Sequence, residues 1–315
     1  MMKSLLQHCL ISVCALVLTT ATAYAEDWHE SKYGATDTLG AINLLSADKV
    51  LEAAKLIKTG KTYALGVPTG PDSPAYPPRF YSMTILQLGD GTGTALGANK
   101  LTGNDDLMHT WMGVGSQIDG LGHIGVDHVY YNGTKAKDFV NNTGLTKFST
   151  HELPPIVTRG VLLDMAEYFG KHVLDAGTAF NEKEIKGAMA KQGVDIGKGD
   201  VVLFHTGWLS KAATDKEAYM KGEPGPGVGG AKFLASLGVV AVGADSWGVE
   251  AIPFEEQGQV FPVHQELLTK NGIYILETMD TSELAKDDAF EFLFVLGQPK
   301  FVGSVQAIIN PVAIR

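Results

Sequence analysis

Short apolar runs that end at glycine, asparagine or a charged residue alternate with amphipathic stretches over most of this chain. Runs this short, rich in β-branched residues, suit strands, and the pattern predicts them over 62–67, 82–88, 160–165, 200–204, 239–243, 273–277, 290–296 and 304–309. Helices are expected where apolar residues recur at helical spacing. One follows Ser46 or Asp48, with Val50, Ala54 and Ile57 on one face and Gly60 beyond its end. Another starts at Asn181, where Glu184 completes a capping box and Phe180 faces Ile185 as a staple. Two more run over 231–237 and 264–271. In the stretch 113–123, an extended backbone puts Gln117 and Asp119 on one face, and a Gly-Leu-Gly turn then swings His123 back toward them. Strands and helices interleave without a composition break or a repeat, so the expectation is a single α/β domain with a mixed sheet over 26–315.

Turn chemistry marks the connections. Segment 68–78 carries Pro68, Pro71, Pro74, Pro77 and Pro78 and reads as a loop long enough to serve as a lid. Segment 89–104 is glycine-rich but is not a phosphate loop, since no Lys-Ser/Thr pair closes it and no helix follows.

Composition narrows the setting. The first 25 residues combine Lys3, an apolar run over 10–18 and Ala23-Tyr24-Ala25, the pattern of a secretory signal peptide cleaved after Ala25. The run is too short to span a bilayer, and no later segment reads as a span. The expectation is a periplasmic or secreted protein with no membrane attachment after cleavage. Both cysteines, Cys9 and Cys14, fall inside that leader. The remaining chain has no thiol nucleophile or thiolate ligand, so any metal must sit on His, Asp, Glu, Gln or water. A net charge of −10 argues against nucleic acid as a partner and leaves a small-molecule substrate.

The candidate chemistry sits in a few places. Asp119 and His123 are spaced as a ligand pair, although an Asp-x3-His pair is equally at home in a surface turn. His264 and Glu277 bracket a helix-turn-strand unit. A carboxylate ending so apolar a strand is costly unless it is paired or holds a cation, or unless the strand end is exposed. His205, Trp208, Asp245 and Trp247 follow strand ends and are candidates for a substrate pocket, as is Trp111; a structural role fits each of them too. His109 could add an imidazole to the Asp119 and His123 pair if 112–115 loops out. His128, His151 and His172 read as surface or core residues.

Four segments in order carry a resemblance: Leu39-Gly40-Ala41-Ile42-Asn43-Leu44-Leu45, Gly115-Ser116-Gln117-Ile118-Asp119-Gly120-Leu121-Gly122-His123, Ala244-Asp245-Ser246-Trp247, and His264-Gln265-Glu266-Leu267-Leu268 with Glu277. Together they resemble the cyclase family of metal-dependent hydrolases that includes bacterial kynurenine formamidase and isatin hydrolase, over about 27–315. The resemblance implies a swivelling β/β/α fold, a homodimer or larger homo-oligomer, and hydrolysis of an amide, lactam or ester bond. The formamidase-like motif reads His-x3-His-x-Asp-x3-His, followed later by a His and a Glu. Its Asp falls on Asp119, its last His on His123, and the later pair on His264 and Glu277. Its first two His fall on Gly113 and Gln117.

One ion, Zn²⁺ or Mn²⁺, is therefore expected rather than two, on Asp119, His123, His264 and Glu277 with Gln117 as a weak carbonyl ligand. Two alternatives stay open: His123 as general base instead of ligand, or no metal at all. The implied catalytic residues are His123, Glu277 and Asp119, with Glu277 or His123 managing the proton. The function expected is an exported metal-dependent hydrolase of a small molecule. A cyclase or dehydratase with the same acid and base, or a non-catalytic periplasmic binding protein, are the alternatives.

Overall fold

Nine strands form one mixed sheet in the computed structural model, which describes residues 29–87 and 95–315. The signal-peptide segment 1–25 and the first part of the glycine-rich connection lie outside the described residues. In chain order the strands are β1 (Thr62–Ala64), β2 (Gln117–Asp119), β3 (Ile156–Asp164), β4 (Val201–His205), β5 (Ala241–Ala244), β6 (Tyr274–Glu277), β7 (Glu291–Leu296), β8 (Gln306–Ile308) and β9 (Val312–Ile314). In space they run β1-β9-β7-β3-β4-β5-β6-β2-β8. The four central strands, β3 to β6, are mutually parallel, and every other neighbour pair is antiparallel.

Parallel strands covered on both faces read as unbroken apolar runs, and Val201-Val202-Leu203-Phe204 is buried throughout. Helix Glu182–Gln192 has the expected capping box between Asn181 and Glu184 and stops at Gly193, whose φ of +68° suits glycine. Helix Val228–Leu237 starts three residues earlier than its apolar spacing suggested, because Gly227 takes the cap position. β3 is longer than expected at its start and ends at Asp164. That carboxylate accepts a hydrogen bond from the Glu167 amide and turns Met165 into a short helix, Met165–Tyr168.

Two departures have a common cause. Asn104–Thr110 pairs with Tyr81–Gln87 as a hairpin, and β9 lies between β1 and β7 in the sheet. Neither Asn104–Thr110 nor β9 has a period-two apolar pattern of useful length, since the first is largely exposed and the second has three residues. No helix among the described residues is long and apolar enough to cross a membrane.

The Leu39-to-Leu45 segment is structural. Gly40, at φ +56°, lies so close to the turn before β6 that a Cβ would stand 2.3 Å from the Gly272 carbonyl oxygen. The Ala41 amide donates to that oxygen at 2.8 Å, and the Tyr274 hydroxyl donates to the Leu39 carbonyl at 3.1 Å. The segment thereby fixes the start of the strand that ends in Glu277.

Candidate metal centre

Antiparallel register assembles the site. In the pairing of β2 with β6, Gln117 lies opposite Glu277, and in that of β2 with β8, Asp119 lies opposite Gln306. Residues two apart share a face, so these four polar side chains gather on one side of the sheet while the intervening Ile118 is fully buried in the core. Gln117 Nε2 donates to Glu277 Oε2 at 2.5 Å and to Asp119 Oδ1 at 3.2 Å, and Gln306 Nε2 donates to Asp119 Oδ1 at 2.7 Å.

His264 enters from the helical segment that begins Pro262–His264 and widens into a π-turn over Gln265–Lys270. Its Nδ1 lies 2.7 Å from Glu250 Oε1, and the same carboxylate accepts the backbone amides of Val263 and His264. Nδ1 therefore carries the proton given to Glu250, and Nε2 faces the cluster, 3.2 Å from Glu277 Oε1 and 3.6 Å from Asp119 Oδ2. His123, after the glycine turn, brings Nε2 to 3.8 Å from Asp119 Oδ2, and its ring lies 6.3 Å from that of His264. Val249, Phe261 and Thr278 all have positive φ and flank these groups. Left-handed backbone at a Val and a Thr is uncommon and held only by surrounding structure, as it often is at functional sites.

The electrostatics favour a cation. Asp119, Glu223, Glu250 and Glu277 are all buried. Burial, then the charge of Asp119, push the Glu277 carboxyl up to about 7. Burial opposes ionisation of Asp119 as well, but the nearby imidazoles of His123 and His264 and the bond from Gln306 hold it at about 2. Burial alone would lower the pKa of His264; the Asp119, Glu250 and Glu277 carboxylates around it outweigh that and raise it well above the usual range. For His123 burial wins over the attraction of Asp119, and the imidazole is held toward its neutral form. Burial and the charge of Glu277 raise Glu223, whose oxygens accept the Trp247 and Gly248 amides.

Asp119, His264 and Glu277 each offer a ligand atom, all within 4.8 Å of one another, and among the described residues they are the one such group of three. Asp119 Oδ2 is buried with no hydrogen-bond partner, while Oδ1 has two. An orphaned carboxylate oxygen, an imidazole nitrogen and a second carboxylate form a donor set that fits Zn²⁺ or Mn²⁺.

The other expected residues lie in and around this group. Gln117 turns its amide NH₂ toward the carboxylates and donates to both Asp119 and Glu277, where its carbonyl oxygen would face two acidic groups. Trp208 is buried, and its indole donates to the Tyr219 carbonyl at 3.3 Å, so it braces the fold. Trp247 donates to the same carbonyl at 2.8 Å and packs against Tyr76, tilted at 5.5 Å, and Phe261, edge-on at 6.4 Å, and the Phe261 ring lies 5.0 Å from that of His264. Tyr76 belongs to the proline-rich loop, which thus reaches the aromatic wall beside the cluster.

His205 and Asp245 line a cavity of about 500 Å³ with His172 and Thr281; the three-residue cluster contributes nothing to its walls. There His205 Nδ1 lies 2.8 Å from Thr281 Oγ1, and Thr206 bonds Asp245 Oδ1 through its backbone amide and its hydroxyl. His109 and Trp111 line a cavity of about 740 Å³ together with His123, Arg79, Tyr130 and Gln306.

The family model "Putative cyclase" matches residues 63–251. The chain belongs to the cyclase family. Among solved structures, that of a novel cyclase shares 27% identity at a TM-score of 0.82, covering 90% of this chain and 96% of that one. Isatin hydrolase A from Labrenzia aggregata, bound to benzyl benzoate, shares 17% identity at a TM-score of 0.61, covering 85% and 98%. A predicted metal-dependent hydrolase from Bacillus stearothermophilus shares 19% identity at 0.52, covering 80% and 97%. No curated protein matches the chain. The cyclase-family α/β fold with its mixed sheet is thus as the sequence motifs implied.

Glu250, Gln306 and Arg79 carry no signal of their own in the sequence. Glu250 could have been suspected from its place six residues after the apolar strand end at Ala244, the segment where this cyclase-family chain keeps Asp245 and Trp247. Gln306 and Arg79 become visible only when strand register and loop path are known.

Proposed function

We propose that this cyclase-family chain hydrolyses an amide, lactam or ester bond of a small molecule, using one divalent ion held by Asp119, His264 and Glu277. The observation that carries the reading is the buried, unpartnered Asp119 Oδ2 beside His264 Nε2 and Glu277. A bound Zn²⁺ or Mn²⁺ would supply Lewis acidity and offset the excess negative charge of the buried carboxylates.

The chain's own residues do the rest. Glu250 fixes the His264 tautomer and ring direction, and Gln117 and Gln306 saturate Asp119 Oδ1 so that only Oδ2 is left for a cation. His123 is partly exposed to the 740 Å³ cavity, lies outside the three-donor group and is held toward its neutral form, so it is suited to take a proton from water. The Phe261 and Trp247 rings limit water on the side of His264.

The reading includes export, supported by the leader pattern of the first 25 residues, and self-association, supported by the exposed apolar side chains of the Tyr81-to-Thr110 hairpin. Its test is hydrolysis of three probes, formanilide, p-nitrophenyl acetate and isatin, by protein stripped with chelator and then supplied with Mn²⁺ or Zn²⁺. The reading expects turnover of at least one probe that falls on stripping and returns with metal. Turnover indifferent to chelator and metal would contradict it.

A further inference from the structure

A point in space ties Arg79 to the cluster. The position that a Cβ on Gly113 would take lies 2.4 Å from Arg79 Nη1 and 3.2 Å from Gln306 Nε2, and that same Gln306 nitrogen is 2.7 Å from Asp119 Oδ1. Only glycine at 113 leaves room for the guanidinium. Nη1 donates to the Gly113 carbonyl at 3.0 Å, which uses one of the five N–H groups an arginine carries.

Among the described residues no carboxylate lies within 4 Å of Arg79, although the chain carries a net charge of −10. An arginine in an acidic protein, partly buried and without an ion pair, keeps its donor capacity for something else. It lines the 740 Å³ cavity with His123 and Gln306 and with the aromatic residues Phe80, Trp111 and Tyr130. Its positive charge also reaches His123 and Glu277.

We propose that the Arg79 guanidinium is the fixed oxyanion-binding group of this site, receiving the substrate oxygen on which negative charge develops during attack. The inference rests on the hydrolytic reading of the preceding subsection. Water's oxygen bonds to the carbonyl carbon, the C=O π pair moves onto the carbonyl oxygen facing Arg79, and water's proton goes to His123. When that pair returns, the C–N or C–O bond breaks, its electrons leave with the nitrogen or oxygen, and His123 gives the proton to this leaving group. A guanidinium held in place before reaction suits the task because it does not have to reorganise as the charge forms. A role in loop anchoring accounts for the bond to Gly113 alone; it does not explain why an arginine without an ion pair lines a cavity shared with His123.

The test uses Arg79→Met, Arg79→Lys and Arg79→Ala on the full chain with the probe that the wild type turns over fastest. Arg79→Met is expected to lower kcat by about 100- to 1000-fold with a much smaller change in KM, the size seen when an oxyanion donor is removed. Metal content and melting temperature should stay at the wild-type values. Guanidinium chloride at concentrations that do not unfold the protein should restore part of the Arg79→Ala rate, and Arg79→Lys should fall between Met and wild type. Binding of phenylphosphonate, a tetrahedral anion, should weaken at least 10-fold in Arg79→Met. Three results would each overturn the inference: an unchanged kcat with one ion bound, a lost rate that tracks lost metal or lost stability, or phenylphosphonate binding indifferent to the substitution. A wild type that turns over a probe without metal overturns the metal reading instead, and the Arg79 comparisons then decide this inference on their own.

Discussion

Glu250 and Gln306 act on the cluster from opposite sides. Glu250 accepts the Nδ1 proton of His264 and so leaves Nε2 as a free ligand atom, while Gln306 occupies the Asp119 oxygen that a cation does not need. Glu250→Gln should therefore weaken Mn²⁺ or Zn²⁺ binding by about 10- to 100-fold, measured by competition with a chelator, because an orienting partner of a ligand histidine is lost. Titration gives a second prediction at this scale. Glu277 titrates at about 7 in the folded chain against an ordinary 4.5, so between those values the metal-free folded state holds more protons than the unfolded one. His264, with its raised pKa, acts in the same direction, since its stabilising charge is lost as pH rises. Metal-free protein in chelator should thus melt at progressively lower temperature from pH 4.5 to 7, and metal affinity should rise over the same window as the ion displaces those protons. A melting temperature that climbs across this window in chelator would contradict the assignment of Glu277.

At the scale of elements, the site depends on three short strands keeping register. A slip of one residue in β2 would turn Asp119 away and bring Ile118 to the cluster. Part of what prevents this is remote: Gly40 against Gly272 fixes the approach to β6, and the Ser116 hydroxyl bonds the Thr278 carbonyl at 2.6 Å and the Val67 amide at 2.8 Å, linking the strand ends. Gly40→Ala should cost about 2 kcal/mol or more by denaturant unfolding, since it adds a Cβ both at positive φ and against backbone. Much of this framework was legible in the sequence. The extended Gln117-to-Asp119 stretch, the capping box at Asn181 and the apolar strands ending at His205, Ala244 and Glu277 depend on local pattern, which a sequence carries directly. The second strand of the hairpin was not legible because its side chains are largely exposed, which leaves no period-two apolar pattern. The direction of the Gln117 amide was not legible either, because it is set by Glu277, 160 positions away.

For the whole molecule, the hairpin is an exposed arm. Met83, Ile85, Leu107 and Met108 are exposed on its two faces, and an isolated two-stranded hairpin is marginal in water. Sedimentation should accordingly show a dimer or larger species for the wild type, shifted toward monomer by Ile85→Asp with Leu107→Asp; a monomeric wild type would contradict self-association through this arm. The sheet as a whole explains how residues spread from 119 to 277 meet. β6 and β2 lie side by side although 154 residues separate Asp119 from the start of the Tyr274–Glu277 strand, so sequence distance hides a cluster that the fold makes compact. Elemental analysis of metal bound per chain decides whether this cluster holds a single ion. Protein stripped, reloaded with Mn²⁺ or Zn²⁺ and dialysed should retain about one ion per chain, and Asp119→Ala and Glu277→Ala, checked by circular dichroism for intact folding, should retain none. Two ions per wild-type chain, or an ion that survives both substitutions, would contradict the account.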